Sequence, residues 1–122
     1  SRQAVTVLKD IWPFSDGGEF VFPSIPSKQK MLSDGAFISS LRRMGYAQHE
    51  ASPHGFRSSA STILNERGFS PDVIEAALGH QDRNTIRRTY NRALYWPERV
   101  AMMQSWADLL DEFKRGEERQ VA

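Results

Sequence analysis

SPHGFRSSASTILNERGFSPDVIEAALGH, residues 52–80, opens two helices in the same way and closes each on a glycine. Ser52-Pro53 and Ser70-Pro71 each set a capping hydroxyl ahead of a proline at the first helical position, where a missing N–H leaves no bond unmade. The first helix is expected from Pro53 to about Arg67, stopping at Gly68; the second runs from Pro71 to Leu78 and stops at Gly79. Glycine closes helices because it enters the left-handed region without a Cβ penalty. Two helices bounded this sharply set the class as mainly α.

The same grammar extends outward. Ser33 caps a helix to Met44, with Phe37, Ile38 and Leu41 on one face and Gly45 closing it. Before it, Gly17, Gly18, Pro23 and Pro26 make residues 14–27 a loop, with at most a short extended segment at Phe20-Val21-Phe22. A first helix from Arg2 to Ile11 is expected to stop ahead of Pro13, since the residue before a proline is pushed out of the helical region. Downstream, a helix fits residues 84–94. A last one starts near Pro97 and carries Val100, Met103, Trp106, Leu110 and Phe113 at spacings of three and four.

With 122 residues there is room for one domain or a large piece of one. Apolar residues at 39% and charged residues at 25% are globular values, which excludes a disordered tail. The absence of cysteine excludes disulfides and thiolate metal sites and is compatible with a reducing, cytoplasmic setting. No apolar run approaches the roughly 20 residues a membrane span needs.

The net charge of +1 conceals an uneven distribution. Arg83, Arg87, Arg88 and Arg92 face a single nearby acid, Asp82, whereas residues 108–119 hold five acids against Lys114, Arg115 and Arg119. Guanidinium pairs with phosphate oxygens through two donors, so the arginine run is a candidate DNA-backbone contact. A solvated helix face accounts for it equally well, and charge alone leaves both readings open.

Chemistry concentrates at three places. His54 and Arg57 lie three apart in the first turn of a helix and so share a face. That turn also directs unpaired amides and the positive end of the helix dipole outward, which suits a phosphate. Leu78-Gly79-His80 sets a histidine just past a helix end, and ten residues later Tyr90 falls within the arginine-rich helix. A phenol with a pKa of about 10 needs cationic neighbours to act as a nucleophile at neutral pH, and Arg87 is one candidate. Without the other motifs, Tyr90 reads better as a half-buried core tyrosine continuing the Ile86 face than as a nucleophile.

Taken together, Pro53-His54-Gly55-Phe56-Arg57, Leu78-Gly79-His80 and Tyr90-Asn91-Arg92-Ala93 resemble the boxes of the tyrosine recombinase (phage integrase) catalytic domain. The likeness is greatest to the prophage-type integrases of enterobacterial satellite phages. It continues through Phe20-Val21-Phe22-Pro23-Ser24, Ser70-Pro71-Asp72-Val73-Ile74-Glu75 and Met102-Met103-Gln104-Ser105-Trp106-Ala107, nearly the whole chain.

The resemblance implies DNA integration and recombination by transesterification, with no metal and no other cofactor. Tyr90 would attack a phosphodiester of double-stranded attachment-site DNA to give a 3′-phosphotyrosyl link and a free 5′-hydroxyl. Arg57 would clamp the non-bridging oxygens, His54 would assist proton transfer from the tyrosine, and His80 would hydrogen-bond the phosphate. His54, Arg57 and His80 would then share a cleft, within about 10 Å of one another. It also implies self-association of the full-length protein on DNA, a bacterial cytoplasmic location, and a last helix that docks on a neighbouring protomer or packs on its own core.

Two parts of the family pattern have no match. The family site takes a second arginine from an early helix and a lysine from a β-hairpin, and Arg2, Lys28 and Lys30 fall at the wrong places in the order. The 122 residues are therefore expected to be a single partial domain, the C-terminal part of the catalytic domain, inactive alone. Two other readings compete with it. One is a non-catalytic DNA-binding module using residues 71–78 and 84–94 as a helix-turn-helix. The other is a metal site from His49, His54 and His80, disfavoured by the lack of ligand spacing.

Overall fold

The computed structural model describes residues 1–15, 17–24, 26–79 and 95–116. Five helices occur among them: α1 (Arg2–Ser15), α2 (Asp34–Arg43), α3 (Pro53–Glu66), α4 (Pro71–Leu78) and α5 (Trp96–Lys114). The class is mainly α. The helix expected over 84–94 lies outside the described residues. The chain divides into two compact units, Arg2–Ser58 and Ser59–Ala122, the second also taking in Ser1.

In the first unit α1 runs on to Ser15 and contains Pro13, so the expected stop at Ile11 is corrected. Proline's fixed φ is itself helical, and only a short turn follows, so one missing amide is the main cost. The Ser15 hydroxyl donates to the Trp12 carbonyl at 2.9 Å, and the Gly18 amide donates to the Ser15 carbonyl at 2.9 Å. These bonds occupy carbonyls at the helix end that lack a partner of their own. Val5, Leu8 and Trp12, spaced along α1 by three and four, stay exposed.

After α1 the chain makes an isolated antiparallel bridge between Pro23 and Met31, one residue beyond the extended segment expected at 20–22. The bonds flank the bridge: Ser24 donates to Lys30 O at 2.7 Å and Leu32 donates to Phe22 O at 2.8 Å. Pro23 thus sits where the pairing asks for no N–H. Lys28 and Lys30 lie in the turn between the two sides. Helix α2 follows the expected grammar, with the Ser33 hydroxyl accepting from Ala36 N at 3.2 Å and Gly45 closing at φ +96°. Of its apolar face only Leu41 is buried; Phe37 and Ile38 remain exposed.

The second unit holds the main core. Leu64 of α3, Val73 and Ile74 of α4 and Met102 of α5 form a buried cluster, with Phe69, Ala77, Leu78, Tyr95, Met103 and Trp106 packed around it. Burying each of the four central side chains contributes about 1.5–3 kcal/mol. Helix α4 ends at Gly79 (φ +70°), whose amide donates to Glu75 O.

Two expectations fail in this unit. Ser70 makes no side-chain cap, although its carbonyl accepts from Ile74 N at 3.0 Å. On α5 the buried positions are Met102, Ala107 and Leu109, whereas Val100, Leu110 and Phe113 of the expected stripe are exposed. Met103 and Trp106 of that stripe do reach the core. Trp96, at the start of α5, is exposed and carries the Arg99 guanidinium 5.6 Å from its ring centroid. No helix among the described residues is long and apolar enough to cross a membrane.

Candidate active site

The first turn of α3 is fixed by Ser52. Its hydroxyl accepts from Gly55 N at 3.0 Å and its carbonyl accepts from Phe56 N at 3.2 Å, while Pro53 supplies a preset φ between them. Glycine at position 55 matters here: a Cβ would stand 3.1 Å from the Ser52 hydroxyl and crowd the cap. On this turn His54 is exposed and Arg57 half-buried. Three residues apart on one helix, they lie on the same face. The arrangement offers an imidazole and a permanent cation beside the positive end of a helix dipole, the elements of an anion-receiving site.

The approach to this turn is tied down from α2. Within residues 47–51, Glu50 accepts through its carboxylate from Ala47 N at 2.6 Å, and the Glu50 and Ala51 amides donate back to Ala47 O at 3.1 and 3.2 Å. Arg42, in the last turn of α2, donates from Nη1 to Tyr46 O at 2.7 Å, and from Nη1 and Nη2 to Ala51 O at 3.1 Å each. Sequence reasoning missed Arg42. The available signal was an arginine in the last turn of a helix closed by glycine, where free carbonyls attract cationic donors.

His54 and Arg57 thus share the first turn of α3. His80 and Tyr90 lie outside the described residues, as do Arg83, Arg87, Arg88 and Arg92, so the cleft expected to join His80 to His54 and Arg57 is not described. A separate cleft of about 280 Å³ in the second unit is lined by Leu64, Arg67, Phe69, Ser105, Trp106 and Leu109 and includes none of the expected site residues. Among the described residues no group of three or more His, Cys, Asp or Glu side chains is arranged to hold a metal ion.

The sequence model of the phage integrase family matches residues 1–95, a stretch that takes in His54, Arg57, His80 and Tyr90. The chain belongs to the phage integrase family. Among curated relatives it is 48% identical over 110 residues to the prophage integrase IntA of Escherichia coli (strain K12), covering 90% of this chain and 26% of that protein. To the prophage integrase IntZ of the same strain it is 44% identical over 117 residues, covering 95% and 28%. To the integrase of Enterobacteria phage P4 it is 40% identical over 114 residues, covering 91% and 26%. The chain therefore spans about a quarter of the length of these relatives. No solved structure matches it. Within this family setting, the pair on the first turn of α3 is the described part of the candidate site.

Proposed function

We propose that this chain supplies the tyrosine-bearing part of a site-specific DNA recombinase acting on double-stranded attachment sites. The observation that carries the reading is the His54–Arg57 pair on one capped helical turn, inside a family match that runs on through His80 and Tyr90. In the reaction the Tyr90 oxygen attacks phosphorus, forming a 3′-phosphotyrosyl bond as the bond to the 5′ oxygen breaks. The tyrosine proton passes toward His54, and the departing 5′ oxygen takes up a proton to leave as a hydroxyl. Reversal by a 5′-hydroxyl of the partner duplex restores the phosphodiester and frees the tyrosine.

Arg57 acts where charge develops. Its guanidinium holds two non-bridging oxygens as the phosphorus becomes five-coordinate, and removing one such preorganised donor costs about 10²–10³ in rate. His80 donates a further hydrogen bond to the same oxygens. Arg83, Arg87, Arg88 and Arg92 track the phosphate backbone on either side of the cleaved bond.

The 122 residues alone are proposed to form no adduct. The family pattern takes a second arginine and a hairpin lysine, and the nearest candidates are ill placed: Arg2 begins α1, while Lys28 and Lys30 lie in the turn of the 23–31 bridge. Loss of acid assistance to the leaving hydroxyl alone costs about 10²–10⁴ in rate. The test incubates a nicked suicide DNA substrate with the complete gene product and with the 122-residue chain, and reads covalent adduct on denaturing gels. An adduct is expected only from the complete protein and disappears in Tyr90→Phe. DNA binding without any adduct would instead make the protein a non-catalytic binding module, and a Tyr90-dependent adduct from the short chain would overturn the assignment of inactivity.

A further inference from the structure

We infer that Arg42 is a positioning residue for the catalytic pair on α3, an inference that rests on the recombinase reading above. The hydrogen bonds of Arg42 go to neither His54 nor Arg57. Its guanidinium instead makes three hydrogen bonds to two backbone carbonyls, one at Tyr46 and two at Ala51. These carbonyls bracket the connection between α2 and α3, so one rigid planar cation ties both ends of that connection to the end of α2.

The consequence passes along the backbone in short steps. The Ala51 carbonyl belongs to the peptide that leads into Ser52, so holding that carbonyl fixes the plane from which Ser52 departs. Ser52 is the residue whose hydroxyl and carbonyl receive the Gly55 and Phe56 amides. Pro53, with its φ already fixed, joins Ser52 to His54 and leaves little slack between them. The Glu50 carboxylate on Ala47 N stiffens the remainder of the connection. A rotation of the Ala51–Ser52 peptide therefore moves the turn that presents His54 and Arg57.

Arginine is required for the geometry and not only for the charge. A lysine ammonium is a point donor on a flexible stem, whereas the guanidinium fork reaches both carbonyls at once. The neighbouring Arg43 provides a built-in control. It has the same charge on the same helical turn, but its side chain donates to Ser40 Oγ within its own helix, at 3.0 Å.

The experiment uses the complete gene product and compares wild type with Arg42→Ala, Arg42→Lys and Arg43→Ala. It measures the single-turnover cleavage rate constant at saturating suicide substrate, the dissociation constant for DNA, and amide hydrogen exchange at Gly55 and Phe56. Displacing reacting groups by about 1 Å costs about 10²-fold in rate, and a loss of that order is expected for Arg42→Ala. Arg42→Lys should recover part of the rate and Arg43→Ala should match wild type, with DNA affinity unaltered throughout. Exchange at Gly55 and Phe56 should be faster in Arg42→Ala. The rate is read below the melting temperature of each variant, and Arg42→Lys carries the comparison if Arg42→Ala does not fold.

A wild-type cleavage rate in a folded Arg42→Ala overturns the inference, as does full rescue by lysine. If wild-type protein itself gives no adduct, the recombinase reading fails on its own. Amide exchange then decides separately whether Arg42 sets the turn.

Discussion

Ser52 and Ser70 occupy equivalent places ahead of a proline, yet only the Ser52 hydroxyl is used. Ser52→Ala should therefore lower stability by about 1 kcal/mol, the usual worth of an N-cap. Ser70→Ala should stay within about 0.5 kcal/mol of wild type, like a substitution away from any such feature. Urea melts of the two variants check the pair, and equal losses would show that the two caps do not differ. The Ser-Pro signature located both helix starts correctly, because proline's preset φ and serine's preference are local properties. It did not tell which hydroxyl rotamer is populated, because that depends on the surroundings of each turn. Arg42 escaped notice for a similar reason. Its acceptors at Tyr46 and Ala51 lie four and nine residues away, in a connection whose path no periodicity describes.

At the scale of the element, α5 shows how a correct helix assignment can carry an incorrect face. Spacings of three and four admit two overlapping stripes, one through Val100, Met103, Leu110 and Phe113 and one through Met102 and Leu109, with Trp106 beside both. Helix α4 decides between them by presenting Val73 and Ile74, against which Met102 closes. Met102→Ala should cost about 2–5 kcal/mol, as expected for truncating a long side chain in a closed core. Leu110→Ala, on the exposed side, should remain within about 0.5 kcal/mol. Thermal or urea unfolding distinguishes the two, and the reverse order would restore the stripe expected from spacing alone. Pro13 in α1 is the complementary case. The rule that proline ends helices weighs a lost bond, and here the helix continues for two residues beyond it.

For the whole molecule, family membership was legible because it depends on which residues occur and in what order, and residues 1–95 preserve that order. The assembly of the site was legible only within one turn. His54 and Arg57 share a turn through local helix geometry, whereas any approach of His80 and Tyr90 to them would depend on packing between distant segments, which spacing does not encode. The arginine run can be tested without reference to that packing. If Arg83, Arg87, Arg88 and Arg92 lie on DNA phosphates in the complete protein, each single alanine substitution should flatten the dependence of log affinity on log salt by about one unit. Fluorescence anisotropy across a salt series measures it, and unchanged slopes would return the run to a solvated helix face.

The unequal settings of the three tryptophans divide the protein's own light emission. Trp12 and Trp96 are exposed, whereas Trp106 is half-buried against the cluster of α3, α4 and α5. A water-soluble quencher will silence the first two preferentially, and the shorter-wavelength light that survives will come from Trp106. Loosening of that one cluster can thus be followed optically with no label attached. The same emission supplies a natural baseline for Met102→Ala, whose cavity would open beside the surviving fluorophore.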